Sequence, residues 1–464
     1  MDVPWPGLNG PAPVGPAPAS AWVGAARKRL KAARVCIRRW LRSTSPEDIE
    51  ACLVPRAALQ RLVQHVPADQ PAQLRPQVSG HGPLAGAECD TASKEWPRLH
   101  LAVASCQYPH GPLDREPAQA SLQSMARVAD EGGLDLALFL GDQVYADATA
   151  GLVDATRRDE RYEGPHETAQ RAHGLRSVLA RVPCVMLLDD HEMVDNWEPR
   201  SPGAAASLPL WRTREDALRD GRWGYWKYER LRPQLRVQPE RDLADKGFVF
   251  AGLPIYLADT RMGRSARGSS VPPGLAHILG SHVDGAHPGQ FQTLEDWLRQ
   301  YRDVPKVVAT PSLLLPRRAE VVMDPANAPR SDAWDGYPAS LHRLLDFLLR
   351  EQIQHTVFVS GDEHHALVCE VTLEPAAQMS AGLHAIRLTS VHSSALYAPF
   401  PFANGHPADL SDEPFVTPGG TRVTLKTRFA PPGDGWARVS LTPGQGDGGL
   451  EVGFYKPGLG GWCP

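Results

Sequence analysis

The sequence predicts a layered α/β fold. Between residues 99 and 360, short apolar runs of strand length alternate with helical stretches. The run at 134–140 is apolar at nearly every position, which is typical of a strand buried on both faces. Polar residues follow several of these runs directly, as they do in open α/β sheets whose ligands bind at the carboxyl ends of the strands.

The composition is that of an ordinary globular protein. Its 464 residues are 42% hydrophobic and 22% charged, which suits one large or two modest domains. The net charge of −4 gives no general attraction for nucleic acid, so we expect no nucleic-acid partner. Seven scattered cysteines disfavour a disulfide-stapled secreted domain. No apolar run approaches the ~20 residues of a membrane helix, and the first residues lack an apolar signal core. We therefore expect a cytoplasmic protein.

The first 95 residues differ from the rest of the chain. Residues 1–20 are a leader rich in Pro, Ala and Gly. Residues 21–43 carry eight Lys or Arg and no acid, with apolar residues at near-helical spacing. Two interpretations stay open for this basic helix. Ordinary packing on the main domain is the commoner case; the other is weak contact with an anionic membrane surface or steering of phosphate substrates. Residues 45–66 predict a second helix, and 67–95 a linker rich in Pro and Gly.

From residue 99 onward, strands and helices alternate. Strands are predicted at 99–105, 134–140, 184–188, 247–250, 255–258, 307–310 and 355–360. Helices are predicted at 116–130, 167–180, 289–301 and 340–350, with a helical excursion rich in Trp and Arg at 209–236. The tail is β-rich, with strands at 384–388, 421–429, 437–441 and 450–455. This alternation of strand and helix is the pattern of a layered domain.

Four of the predicted strands end in potential metal ligands. In chain order these residues are Cys106; Asp142 and Tyr145; Asp189, Asp190, His191, Glu192 and Asn196; and Asp362 and His364. Any one group alone is weak evidence for a metal site, since Gly-Asp is common in turns and a buried Cys usually acts as a small apolar residue. Crowded carboxylates and imidazoles repel one another, however, unless a cation or shared protons hold them. Four such ends at one sheet edge predict a polynuclear metal centre.

The types of ligand atom limit which metals can bind and which reaction they can support. Oxygen ligands suit Mg²⁺, Ca²⁺ or Mn²⁺, whereas imidazole and thiolate suit Zn²⁺ or iron. A thiolate and a phenolate on one ion favour the ferric state, because both are anionic donors. Two neighbouring metals can lower the pKa of a bound water and clamp the oxygens of an in-line displacement. The site therefore predicts phosphoester hydrolysis.

These motifs resemble those of the PhoD-like (alkaline phosphatase D) branch of the calcineurin-like metallophosphoesterases. The matching segments keep the family's order: ASCQ at 104–107, LGDQVY at 140–145, LDDHE at 188–192, DNW at 195–197, DTR at 259–261, WDGY at 334–337 and VSGDEH at 359–364. The resemblance implies a four-layer α/β/β/α metallophosphoesterase sandwich over residues 96–464. This sandwich would carry a helical extension at 1–95 and a β-rich C-terminal tail. Secreted family members have an export signal and an N-terminal β domain instead of such an extension.

The resemblance also implies a set of metal ligands. Asp142 would bridge two metals. Cys106 and Tyr145 would hold Fe³⁺, and Asp362 and His364 would hold Ca²⁺. Mn²⁺, Zn²⁺ and Mg²⁺ are the alternatives.

Further roles follow from the same resemblance. Asp190 is favoured as an additional ligand or phosphate-contacting group, with Asn196 as the rival ligand. His191 is a candidate phosphate contact or leaving-group acid. Arg261 and Arg264 could offer forked hydrogen-bond donors to phosphate.

The predicted function is metal-dependent hydrolysis of a small-molecule phosphodiester or phosphomonoester. A metal-activated hydroxide would attack phosphorus in line with the leaving group. The alternative is a metal-binding regulatory protein that has the same fold but no turnover. It is disfavoured because all four ligand clusters are intact.

Overall fold

Two mixed β-sheets form the interior of the protein in this computed structural model. The structure describes residues 77–78, 96–111, 114–148, 155, 157–198, 214–230, 246–265, 267, 276–279, 289–376, 382–399, 406–444, 446 and 448–463. The predicted leader at 1–20, basic helix at 21–43 and second helix at 45–66 lie outside the described residues.

Eighteen strands are present in the described residues. They are β1 (Gln77–Val78), β2 (Leu99–Gln107), β3 (Leu136–Leu140), β4 (Cys184–Leu187), β5 (Lys246–Phe250), β6 (Leu253–Leu257), β7 (Lys306–Ala309), β8 (Arg317–Arg318), β9 (Thr356–Ser360), β10 (Leu367–Pro375), β11 (Ile386–His392), β12 (Ala395–Tyr397), β13 (Leu410–Ser411), β14 (Phe415–Val416), β15 (Thr421–Phe429), β16 (Trp436–Leu441), β17 (Glu451–Lys456) and β18 (Gly461–Cys463). The larger sheet has the order β1-β5-β6-β7-β9-β11-β10-β15-β14. The smaller sheet has the order β18-β17-β16-β2-β3-β4, with β12 also paired to β2.

The central strands of both sheets are parallel. In the larger sheet β6, β7, β9 and β11 run in one direction. In the smaller sheet β2, β3 and β4 do the same. The carboxyl ends of each parallel set therefore lie along one edge of its sheet, where a ligand site can form.

Seven α-helices flank the sheets in the described part of the chain. They are α1 (Arg115–Asp130), α2 (Gly164–Arg171), α3 (His173–Leu179), α4 (Arg214–Tyr225), α5 (Gln290–Gln300), α6 (Ala319–Met323) and α7 (Pro338–Arg350). Short π-helical turns adjoin α2 at Asp159–Glu163 and α4 at Trp226–Arg230. Among the described helices, none is both long and apolar enough to span a bilayer.

Three apolar clusters show how the layers pack. The central cluster joins the facing sides of the two sheets, with Leu101 from the smaller sheet and Ile255 from the larger. A second cluster packs the other side of the smaller sheet, including Phe139, against α1 and α3. A third packs the other side of the larger sheet, including Phe358, against α5 and α7. The order helix, sheet, sheet, helix confirms the predicted four-layer sandwich.

Two local features differ from the sequence prediction. The helix predicted at 167–180 is two helices, α2 and α3, separated by an extended residue, Ala172 (φ −60°, ψ 135°). The break lets Gly174 approach α1, where its N–H donates to Gln119 Oε1 at 3.0 Å and a Cβ would lie 2.8 Å from the Leu122 Cβ. Within the predicted linker, Gln77 and Val78 pair antiparallel with β5.

Candidate metal centre

Carboxylates from both sheets meet at the ends of the parallel strands. Asp142, Asp190 and His191 each offer one ligand atom, and these atoms lie within 4.8 Å of one another. A second group at the same spacing consists of Asp142, Asp189, Asp190 and Asp362. Asp142 follows β3, Asp189 and Asp190 follow β4, and Asp362 follows β9 of the other sheet. The structure thus brings together ligands that are as far apart as 220 positions in the sequence, from 142 to 362.

The backbone is left-handed at five of the predicted metal ligands. These are Cys106 (φ 58°), Asp142 (φ 57°), Asn196 (φ 54°), Asp362 (φ 80°) and His364 (φ 55°). Elsewhere in the described residues, the non-glycine residues with positive φ are Ala251, Gln352 and His355. Each such residue costs on the order of 1–3 kcal/mol and persists only where its surroundings fix it. The concentration of this conformation here indicates a backbone shaped by the site.

Glu192 fixes the loops after β3 and β4 to one another. Its buried carboxylate accepts backbone N–H groups from Asp142 at 3.1 Å, Gln143 at 2.7 Å and Asp189 at 2.9 Å. Burial, with a further contribution from Glu229, raises the pKa of Glu192 to about 8. Three backbone bonds on one carboxylate hold Asp142 and Asp189 in place without using their side chains.

The clustered carboxylates have too few hydrogen-bond donors. In the described part of the chain, Asp189 Oδ2, Asp190 Oδ1 and Asp362 Oδ2 are buried and accept no hydrogen bond. Burial and the neighbouring carboxylates raise the pKa of Asp142 and of Asp362 well above the ordinary value. A bound cation would remove both penalties, because it supplies the missing charge and the missing partners. The oxygen-rich part of the site therefore fits a metal ion.

The softer donors lie beside this cluster. Cys106 Sγ is 3.4 Å from Asp142 Oδ2, and the Tyr145 ring stacks on His191 with 4.1 Å between centroids. Burial, then the nearby acids, raises the pKa of the Cys106 thiol and of the Tyr145 hydroxyl well above their ordinary values. A thiolate or phenolate at these positions needs a cation next to it, so metal binding and deprotonation would be coupled.

Three predicted ligands, Cys106, Asn196 and His364, are not part of the two closely spaced groups. Asn196 has an exposed side chain, and its backbone N–H donates to Asp190 Oδ2 at 2.5 Å. In the structure Asn196 therefore orients Asp190 through its main chain. His364 is half-buried.

Arg261 has a different setting from the predicted phosphate contact. Its side chain is fully buried, donates to Asp189 and pairs with Asp332. It also lies 3.5 Å from Asp190 Oδ1 and 3.6 Å from Asp362 Oδ2. The guanidinium is therefore enclosed by carboxylates from three loops and has no surface facing solvent.

Arg264 is equally enclosed. It donates to Asp332 at 2.5 Å and to Ser312 Oγ at 3.2 Å, and none of its side chain is exposed. Burial raises the pKa of Asp332, but Arg261, Arg264 and Arg267 outweigh it and hold that pKa below the ordinary range. Sequence reasoning missed Asp332, although it lies just before the WDGY segment.

His191 is held by a carboxylate that the sequence analysis also missed. Its Nδ1 lies 2.8 Å from Asp147 Oδ1, and Asp147 accepts the Asp195 N–H at 2.5 Å. Burial lowers the pKa of His191, but Asp147, Asp190 and Asp142 outweigh it and raise that pKa well above 6.5. The His191 side chain is 23% exposed, so it can reach a molecule bound at the site. Its position in the sequence could have identified Asp147, because it lies only five residues after Asp142.

Comparison with characterised proteins identifies the family of this chain. The profile of the PhoD-like phosphatases matches residues 101–410. Alkaline phosphatase D of Bacillus subtilis (strain 168) is 24% identical over 288 residues, which are 58% of this chain and 46% of that protein. The chain thus spans about half the length of this curated relative. A solved structure of PhoD covers 80% of this chain and 72% of its own, with a TM-score of 0.51 and 17% identity, which shows a shared fold.

Proposed function

This chain belongs to the PhoD-like phosphatase family, and from that premise we propose that it hydrolyses a small-molecule phosphodiester or phosphomonoester in a metal-dependent reaction. The observation that carries the proposal is the cluster of Asp142, Asp189, Asp190 and Asp362, whose ligand atoms lie within 4.8 Å of one another. In the described residues, one oxygen on each of the last three accepts no hydrogen bond. Bound cations would offset the repulsion between these carboxylates. Metal ions at the site of a phosphatase also supply the chemistry of phosphoester hydrolysis.

The residues at the cluster fit two classes of metal. Asp142, Asp190 and Asp362 supply oxygens suited to Ca²⁺, Mn²⁺ or Mg²⁺. Cys106 and Tyr145 supply the softer donors suited to Fe³⁺ or, for the thiolate, Zn²⁺. His364 completes the proposed set, and Asn196 supports it by orienting Asp190 through its backbone N–H. When bound, the metals would lower the pKa of a water and neutralise charge that develops at phosphorus.

His191 is the proposed proton donor to the leaving group. The Asp147 carboxylate fixes the imidazole through Nδ1, which leaves Nε2 for a bound molecule on a side chain that is partly exposed. A carboxylate in this position also keeps the ring protonated, as general-acid catalysis requires. With proton transfer to the departing oxygen, the leaving group departs as a neutral alcohol and not as an alkoxide.

Arg261 is assigned to the carboxylates and not to the substrate. In the described residues its side-chain ion pairs are all with acids of the site, and no part of the side chain is exposed. It would keep Asp189, Asp190, Asp332 and Asp362 together in both the presence and the absence of metal. A guanidinium suits this role because its planar array of donors can face several carboxylates at once.

Elemental analysis of protein purified without chelators, combined with hydrolysis of an aromatic phosphodiester and the matching monoester, tests the proposal. We expect bound metal at near-integer ratio and hydrolysis of at least one ester, lost on chelation. Asp142→Asn should lower kcat/KM by about a thousandfold, because it removes charge from the centre of the cluster. Circular dichroism should show an intact fold.

Full activity of Asp142→Asn would contradict the proposal. Bound metal without turnover on either ester would favour the regulatory alternative. A protein that binds no metal would show that the carboxylate cluster has another purpose.

A further inference from the structure

Arg318 differs from the other arginines around the carboxylate cluster in its exposure. The side chains of Arg261 and Arg264 are 0% exposed, and that of Arg267 is 9% exposed. The Arg318 side chain is 31% exposed. It is therefore the arginine of this set that a bound molecule can contact.

Arg318 is also fixed in place. Its backbone N–H donates to Asp335 Oδ2 at 2.6 Å, and its Nε donates to Glu363 Oε1 at 3.0 Å. Its Nη2 donates to the other oxygen of Glu363. Glu363 lies between two predicted metal ligands, Asp362 and His364, so this pairing ties the guanidinium to the metal loop.

The pairing with Glu363 leaves donors available. A guanidinium has five N–H groups, and a carboxylate bound along the Nε and Nη2 side uses two of them. Within the described residues, Nη1 of Arg318 makes no hydrogen bond. Burial lowers the pKa of Arg318, but Glu363 and Asp362 outweigh it and raise that pKa, so the group is charged. A fixed cation with free N–H groups, paired with the residue between two candidate metal ligands, is suited to bind an anion.

We propose that Nη1 of Arg318 binds a phosphoryl oxygen of the substrate. The inference rests on the proposed function, because it takes the anion to be the phosphoryl group that the site hydrolyses. Glu363 holds the guanidinium in its binding orientation before the substrate arrives, so little side-chain entropy is lost on binding. Arg318 thereby takes the role that the sequence suggested for Arg261 and Arg264, whose side chains are fully enclosed in the protein.

The neighbouring residue provides a matched control. Arg317 lies with its guanidinium 3.9 Å over the Phe415 ring and donates to the Glu413 carbonyl at 3.2 Å. It has the same charge and the same strand as Arg318 but packs against a different part of the chain. Replacing Arg317 should therefore reproduce any general effect of losing one positive charge from β8.

The test is calorimetric titration of the metal-loaded protein with inorganic phosphate, for wild type, Arg318→Gln, Arg318→Lys and Arg317→Gln. We expect Arg318→Gln to weaken phosphate binding by about 10- to 100-fold, the range for losing a hydrogen bond between charged groups. Arg318→Lys should give an intermediate affinity, because lysine keeps the charge but not the fork. Arg317→Gln should bind as wild type does, and all four proteins should have the same metal content.

The outcomes separate this inference from the proposed function. Wild-type phosphate affinity in both Arg318 variants would overturn the role of Arg318, whatever the activity. An equal loss of affinity in Arg317→Gln would also overturn it, since the effect would then be general charge. If Arg318→Gln weakens phosphate binding but wild type hydrolyses no ester, the Arg318 site stands and the proposed function fails.

Discussion

Asp332 and Asp142 are both buried aspartates of the same site, but their surroundings shift their pKa values in opposite directions. Asp332 is paired with three arginines, which hold its pKa below the ordinary range. Burial and the neighbouring acids raise the pKa of Asp142 well above the ordinary value, and the opposing effect of His191 is too small to offset them. Burial is therefore not what distinguishes the two. One side of the site carries its own cations, and the other side has the carboxylate spacing of a candidate cation site.

This contrast explains how a dense acidic cluster can fold before metal arrives. Arg261 touches carboxylates on both sides, since it pairs with Asp332 and also approaches Asp190 and Asp362. Its fixed charge offsets part of the repulsion, which would otherwise be several kcal/mol per unpaired buried ion. The remaining repulsion is what favours metal binding. The following predictions test this division between the two sides.

Arg261→Met should have the largest effect on stability. It leaves four carboxylates around an apolar side chain, and breaking a buried ion pair typically costs about 3–5 kcal/mol. We expect a loss of this size in the free energy of unfolding of the metal-free protein, measured by denaturant titration with a chelator present. Saturating metal should restore part of the loss, because it binds only the folded state.

Arg428→Met is the control for Arg261→Met. Arg428 pairs with Glu370 on the surface, with side chains 67% and 53% exposed, so its loss should change stability little. Equal stability of the Arg261 variant and wild type would show that the carboxylates need no internal cation.

Asp147→Asn should have an intermediate effect that depends on the leaving group. Without the carboxylate, the His191 ring loses the partner that orients it and keeps it protonated. Hydrolysis of an alkyl phosphoester, which needs a proton donor, should slow by about 10²-fold. Hydrolysis of a 4-nitrophenyl ester should change little, because nitrophenolate departs without a proton. The measurement is kcat/KM for both esters.

Asp195→Asn is the matched variant for Asp147→Asn. Asp195 Oδ1 lies 3.9 Å from His191 Nε2, and its side chain is 61% exposed. We expect a small and uniform change for both esters. An equal loss on both esters in Asp147→Asn would point to a structural role and not to proton donation.

Lys306 extends the comparison to a buried cation that is held by backbone carbonyls, and its effect on stability should appear as a dependence on pH. Its Nζ donates to the carbonyls of Arg302, at 3.2 Å, and Gln354. Burial lowers the pKa of Lys306 to about 7. Between pH 7 and its ordinary value of 10.5 the unfolded chain binds more protons, so stability should rise with pH in this window.

Lys306→Met should flatten that rise. The difference between the two stability profiles should be on the order of 1 kcal/mol per pH unit. Thermal or denaturant unfolding at several pH values between 7 and 10 measures it. Parallel profiles for wild type and variant would show that Lys306 does not titrate in this window.

The sequence predicted the fold well because the fold is encoded in local patterns. Apolar runs and helical periodicity placed β2, β3, β4, β6, β7 and β9 and the helices α1, α5 and α7 within a few residues of their observed ends. Family resemblance then supplied the layer order, which the structure confirms. The break at Ala172 was missed because it comes from packing of Gly174 on α1, a tertiary contact.

The pairing of charges at the site was much harder to predict. The sequence showed which strand ends carry acids, but not which acid meets which cation. Arg261 meets Asp189, 72 positions away, and Arg318 meets Glu363, 45 positions away. Such distant pairs leave no periodic pattern in the sequence. Sequence reasoning therefore assigned Arg261 to the phosphate and did not consider Arg318.

The left-handed backbone at Cys106, Asp142, Asn196, Asp362 and His364 affects how this protein can be engineered. Glycine at any of these positions would relieve local strain of about 1 kcal/mol or more while deleting a candidate ligand. A screen that selects only for heat resistance would thus reward the loss of the site. Directed evolution of a more durable variant should therefore keep a hydrolysis assay in every round.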